Sequence, residues 1–188
     1  MTTILGISGS LRAGSYNTAL LRAAQALAAP GVTLEAVTLH GIPLYDGDVE
    51  RRDGLPAAVL QLKQRIIASD GVLLVTPEYN SGIPGVFKNA IDWLSRPAAD
   101  IPRVFGDRPF ALAGASQGGF GTILSQDAWL SVLRKLGVRH WAGGTLMVSR
   151  ATQVFDEDGA LRDEAIRKQL GDFLNGFAAW IDGGGAGR

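Results

Sequence analysis

The sequence predicts an α/β fold in which five parallel strands form a sheet covered by helices on both faces. Two kinds of segment alternate from end to end: short apolar runs that close on turn residues, and longer stretches with apolar residues at helical spacing. Runs such as TILGIS (residues 3–8) and GVLLVT (residues 71–76) suit strands buried on both faces. Strand and helix signals in alternation feed crossovers between parallel strands.

The elements follow in order. Residues 3–8 form the first strand and close on the Gly9-Ser10 turn. Residues 17–28, rich in Ala and Leu, form a helix ended by Pro30-Gly31. Residues 32–39 alternate as a second strand, and Leu55, Val59, Leu62 and Ile66 mark one face of a second helix. Residues 71–76 are the third strand, and residues 84–94 a third helix with Pro84 pre-set for its first turn. Residues 110–115 and 122–136 supply the fourth strand and helix, and residues 141–148 a fifth strand. After a turn at Asp156-Glu157-Asp158-Gly159, a stripe running from Leu161 through Leu170, Phe173, Leu174 and Phe177 to Ile181 marks the last helix. Residues 1–182 thus read as a single domain with no internal repeat, and the Gly-rich residues 183–188 as a flexible tail.

The whole-chain composition narrows the function classes. Of 188 residues, 46% are apolar and 19% charged, the balance of a globular protein. Basic and acidic residues number 18 each, so the formal net charge is zero, which gives no support for a nucleic-acid groove or a basic membrane patch. The absence of cysteine excludes disulfides, a catalytic thiolate and thiolate-held metals. His40 and His140 are the only histidines, too few for most His-rich metal sites, and read as structural or solvent-facing residues. With no leader-like start and no apolar stretch of membrane-spanning length, the expectation is a cytoplasmic protein.

In open parallel sheets, ligands bind beyond the carboxyl ends of the strands where strand order reverses, so the loops after strands one, three and four are where chemistry is expected. The first loop carries Ser10, Arg12, Ser15 and Asn17 ahead of a helix N-terminus. Such a terminus presents free backbone N–H groups and the positive end of a dipole, and Arg12 adds a fixed charge with a fork suited to phosphate. A plain helix cap accounts for one such residue; four polar residues including an arginine point to an anion. Neither G-x-x-x-x-G-K-[ST] nor G-x-G-x-x-G occurs here, so P-loop and dinucleotide fingerprints are not offered.

The loop after strand three holds Pro77, Glu78, Tyr79, Asn80, Ser81 and Gly82, followed by Ile83, Pro84 and Gly85. Its prolines and glycines fix a rigid path, and its polar and aromatic groups suit the face and edge of a flat ring system. The loop after strand four holds Ser116, Gln117, Gly118 and Gly119, then Phe120 and Gly121, and its glycines permit close backbone approach to a ligand. Taken alone, Tyr79 reads as a surface tyrosine in a Pro/Gly turn, and the third loop reads equally as a loose loop.

Together the three loops resemble the NADPH-dependent FMN reductase family. Gly9 through Asn17 match its Gly-Ser-Leu-Arg-x-x-Ser-x-Asn pattern, and Pro77-Glu78-Tyr79-Asn80, Pro84-Gly85 and Lys88-Asn89-Ala90-Ile91-Asp92-Trp93 match its longer signature. Ser116, Gly118 and Gly121 match a Ser-x-Gly-x-x-Gly loop, while Thr122 departs from it where a second glycine is common. The resemblance implies a flavodoxin-like three-layer sandwich with a five-stranded parallel sheet and a non-covalent FMN. It places the phosphate on Ser10, Arg12, Ser15 and Asn17, the ring system against residues 77–82, and residues 116–119 on the other side. It further implies NADPH or NADH as donor, small acceptors such as quinones, azo compounds, chromate or free flavin, and a homodimer or homotetramer. No side chain is needed as a general acid, so no catalytic residue is assigned, and Lys88 with Asp92 reads as a supporting pair. One rival reading is an electron-carrier flavodoxin, against which the zero net charge argues, since carriers dock through acidic faces. The other is a flavin-free regulatory or interaction domain, against which the intact polar residues of all three loops argue.

Overall fold

The structure is a computed structural model and describes residues 1–184. The elements are β1 (Thr2–Ser8), α1 (Tyr16–Ala26), β2 (Val32–Val37), α2 (Gly47–Asp53), α3 (Ala57–Ala68), β3 (Gly71–Val75), α4 (Gly85–Leu94), α5 (Ile101–Val104), β4 (Pro109–Ala115), α6 (Ile123–Leu136), β5 (Arg139–His140), β6 (Leu146–Val148), α7 (Ala151–Val154) and α8 (Glu164–Asp182). The strands run in the order β2-β1-β3-β4-β5, with β6 also on β4, and every pairing is parallel. The order reverses between β1 and β3, which opens a crevice at their carboxyl ends.

Side-chain alternation along the strands divides the core into two layers. Ile4, Leu73, Val75, Ala111, Ala113 and Ala115 face α1 and α8, whereas Leu5, Ile7, Val72, Leu74, Phe110 and Leu112 face α3, α4 and α6. The alanine-lined side of β4 lets α1 lie close to the sheet end that forms the crevice. Phe87 and Trp129 fill the second layer edge to face, with ring centroids 5.0 Å apart. Among the described residues no helix is long and apolar enough to cross a membrane.

The fifth place in the sheet is held by two short strands rather than one. Trp141 still donates its N–H to Phe110 O at 2.8 Å, but the ladder breaks after it, and its ring turns onto Phe173 and Phe177 of α8, at centroid distances of 5.0 and 5.5 Å. Gly143, Gly144 and Gly176 make room for that ring: a β-carbon on any of them would come within 3.0 Å of it. The chain rejoins β4 only at Leu146. The last helix begins at Glu164, capped by the Asp163 carboxylate on the Ile166 N–H at 2.9 Å, while Leu161 pairs instead with Phe155. Of the tail, Gly183 and Gly184 are a turn, and residues 185–188 lie outside the described residues.

Candidate functional site

The three loops named from the sequence meet in one cleft of about 480 Å3 beyond the carboxyl ends of β1, β3 and β4. That volume falls within the roughly 300–1,000 Å3 common for small-molecule sites. Ser10, Arg12, Ser15, Asn17, Pro77, Glu78, Tyr79, Ser116, Gln117 and Gly118 all line it. Asn80, Ser81, Gly82 and Gly119 are outside the lining: the first three form a hairpin that continues from Tyr79, and Gly119 follows Gly118 in the loop after β4. Tyr16 and Ala115 also line the cleft, and residue type alone does not single them out. Their signal is positional, since each adjoins a polar residue of the predicted site.

One end of the cleft is built by the loop between β1 and α1. Gly9 anchors it: its N–H donates to Val75 O at 2.9 Å, and a β-carbon there would overlap the Phe87 ring and sit 2.9 Å from Pro77. Only glycine lets this loop approach the loop after β3 this closely. Ser15 is the N-cap of α1, its hydroxyl accepting from the Thr18 N–H at 3.3 Å, and the Ser10 hydroxyl accepts from the Arg12 N–H at the same distance. Both serines are buried, and each keeps its own O–H to donate.

Asn17 is buried as well, and its amide is shared between the fold and the cleft. Nδ2 donates to Ala115 O at 2.8 Å and Oδ1 accepts from Ala115 N at 2.9 Å, leaving one amide N–H beyond that pair. Hydroxyl donors, an amide, a helix N-terminus and the Arg12 guanidinium therefore converge where an anion fits.

The opposite wall is the loop after β3. Tyr79 and Gly82 exchange both backbone hydrogen bonds at 3.1 Å, closing a two-residue hairpin whose tip residues Asn80 and Ser81 have φ of 49° and 61°. Left-handed backbone at two consecutive non-glycine residues is strained, and such strain collects at binding sites. Glu78 holds the base of the hairpin. Its carboxylate accepts from the Leu124 and Ser125 N–H groups at 2.9 and 3.1 Å, capping α6 where Thr122 makes no side-chain cap. Beneath lies a buried cluster in which Trp129 Nε1 donates to Thr76 Oγ1 at 3.1 Å, and Thr76 and Ser125 hydroxyls meet at 2.9 Å.

The loop after β4 is fastened to the segment beyond β6. Ser116 N donates to Val148 O, Arg150 N to Gly118 O and Ala151 N to Ser116 O, all at 2.9–3.0 Å. The Ser116 hydroxyl donates to Gly121 O. Thr122, the departure from the family pattern, is fully buried and receives Gln126 Nε2 at 3.1 Å. Lys88 and Asp92 pair at 2.6 Å outside the lining of the cleft. Trp93 is a core residue whose Nε1 donates to Pro43 O at 2.9 Å. His40 Nδ1 lies 3.0 Å from Thr38 Oγ1, and neither histidine borders the cleft.

The family model described as NADPH-dependent FMN reductase matches residues 2–153. The chain belongs to this family. It is 42% identical over 178 residues to an NAD(P)H-dependent FMN reductase of Pseudomonas aeruginosa, covering 95% of this chain and 94% of that one. A 2-hydroxy-1,4-benzoquinone reductase of Burkholderia sp is 35% identical, with 93% of each chain covered. The solved structure of FerB, a flavoenzyme NAD(P)H:(acceptor) oxidoreductase from Paracoccus denitrificans, superposes with a TM-score of 0.86 at 33% identity, covering 97% of this chain and 98% of that one. The similarity to these relatives reaches past residue 153, into the residues of α8.

Proposed function

We propose that this chain is an FMN-dependent NAD(P)H oxidoreductase that passes hydride to small oxidised acceptors of the quinone, azo, chromate or free-flavin kind. The observation that carries the reading is the pairing, in one cleft, of an anion-suited donor set at one end with a rigid hairpin wall at the other. The donor set fits a phosphomonoester in its chemistry: neutral donors from buried side chains, one arginine and a helix N-terminus.

Ser10, Arg12, Ser15 and Asn17 hold the phosphate in this reading. Pro77 and Tyr79 offer apolar surface to one side of the ring system, Ser116, Gln117 and Gly118 close the other, and the hairpin closed by Gly82 brings the peptide N–H groups of its tip, Asn80 and Ser81, to the polar edge. When bound, FMN supplies the centre that takes hydride from the nicotinamide and gives it to the acceptor. The protein's part is to bind, to orient and to set the local electrostatics, and no side chain is assigned as an acid or base. Residues 1–182 act as one FMN-binding unit, working in the cytoplasm as a homodimer or homotetramer.

The test is the visible spectrum after adding FMN and desalting, followed by NADPH in the absence of oxygen. Flavin bands that survive desalting and bleach with NADPH are the expected result. Bands that survive and bleach with neither NADPH nor NADH would leave an electron carrier, and a protein without bands that also ignores FMN in a direct titration would end the reading.

A further inference from the structure

At the phosphate end of the cleft an aromatic pair stands behind the arginine. The Arg12 guanidinium lies over the Tyr16 ring, 5.6 Å from its centroid. The Tyr16 ring rests in turn on Phe155, with centroids 5.9 Å apart and planes tilted by 31°. Arg12 is exposed, Tyr16 half-buried and Phe155 4% exposed, so the row runs from solvent to core. Arg12 and Tyr16 both line the cleft. Phe155 is fixed from behind: its N–H donates to Ala151 O at 3.1 Å, and Ala151 N donates to Ser116 O at 3.0 Å.

An exposed arginine that must hold an anion gives up the rotamer freedom of a long side chain on binding. A π face attracts the guanidinium before the anion arrives, and it competes poorly with phosphate for the N–H donors. The cation is thereby kept near its working place without being neutralised, as a carboxylate partner would do.

We propose that Tyr16 is a positioning residue for Arg12, and that Phe155 braces it, so that the row makes the site selective for a flavin carrying a terminal phosphate over one without it. This rests on the reading of Ser10, Arg12, Ser15 and Asn17 as the phosphate subsite. Because Tyr16 acts through Arg12, its contribution belongs to the phosphate and vanishes when either Arg12 or the phosphate is removed.

The experiment measures dissociation constants of FMN and riboflavin by fluorescence quenching for the wild type, Arg12→Ala, Tyr16→Leu, Tyr16→Phe, Phe155→Leu and the double variant Arg12→Ala/Tyr16→Leu. Arg12→Ala is expected to weaken FMN by about tenfold or more, with riboflavin within about twofold of wild type. Tyr16→Leu is expected to weaken FMN by about three- to tenfold and spare riboflavin, while Tyr16→Phe, which keeps the ring, stays within about twofold of wild type for both. Phe155→Leu reports the brace independently through a smaller selective loss. The double variant loses no more than Arg12→Ala alone.

If Arg12→Ala weakens FMN and neither Tyr16→Leu nor Phe155→Leu does, the positioning role is wrong and the phosphate subsite stands. Equal losses of FMN and riboflavin in Tyr16→Leu would make the ring a packing element only. If Arg12→Ala leaves FMN affinity unchanged, the phosphate subsite fails and the positioning role with it.

Discussion

Asn17 and Ala115 are paired through two hydrogen bonds, 2.8 Å from Nδ2 to the carbonyl and 2.9 Å from the peptide N–H to Oδ1, across 98 residues of chain. The side chain copies the edge of a strand. It continues the hydrogen bonding of β4 one residue into the cleft and pins the start of α1 against it.

Replacing Asn17 by Ala would leave both the N–H and the C=O of buried Ala115 without their partner. Each such loss costs about 1–3 kcal/mol, so a destabilisation of about 2–6 kcal/mol and a lower midpoint in urea are expected. Asn17→Asp keeps an acceptor for Ala115 N but sets a carboxylate oxygen against Ala115 O and a negative charge at the phosphate end, so it should lower both stability and FMN affinity. Midpoints for both variants equal to wild type would mean that the pair contributes nothing.

The position of Glu78 in the loop after β3 predicts a cofactor contact, and its carboxylate caps α6. Removing the cap by Glu78→Ala should cost about 0.5–2 kcal/mol of stability. Glu78→Gln keeps an acceptor oxygen and should retain more than half of that. Because Glu78 also carries the base of the hairpin, Glu78→Ala should weaken riboflavin and FMN alike, unlike a phosphate-end variant. A loss confined to FMN would show that the residue does not act through the hairpin.

How much of this is legible in sequence depends on the kind of signal. The buried strands read plainly because a continuous apolar run as short as Gly71–Val75, closed by turn residues, suits a buried strand far better than a helix. The crevice follows from strand order, and three loops with unusual density of Ser, Arg, Asn and Gly mark its walls. Helix α2 is invisible because it buries no residue and so prints no apolar stripe; its signs are the Asp46 cap and acidic-to-basic charge order along its length. The break at Trp141 is equally hidden, since an aromatic residue in an apolar run reads as strand until the rings of Phe173 and Phe177 are seen beside it. The split duty of Asn17 and the capping role of Glu78 depend on partners 98 and 46–47 residues away, which local pattern does not reach.

Thr122 stands where the family often has glycine, and the structure shows what it occupies. A β-carbon on Gly114 would overlap both Thr122 Oγ1 and the carbonyl oxygen of Thr76. Gly114→Ala should therefore destabilise the protein by about 1–3 kcal/mol, as overpacking of a close-packed site does. Adding Thr122→Gly removes the first clash and leaves the second, which is backbone, so rescue should be partial. Complete rescue in the double variant, measured by thermal midpoint, would place the whole strain on the threonine.

His140 sits half-buried at the end of β5, and burial pushes its pKa below the ordinary 6.5. The folded protein thus prefers the neutral ring, while the unfolded chain binds a proton at the ordinary value. As pH falls through that value the unfolded state takes up the proton first, so the stability contributed by His140 is complete above it and declines toward the folded pKa. Asp156, Glu50 and Asp100 are also held below their ordinary carboxylate values, the first chiefly by the Ala160 N–H, the second by Arg96 and the third by Lys63. Their contributions are lost only at still lower pH, which leaves the interval from about pH 7 to about pH 5 to the histidine. His140→Gln, which keeps a polar side chain and cannot titrate, should flatten the fall in thermal midpoint across that interval. Parallel curves for wild type and variant would assign the fall to other groups.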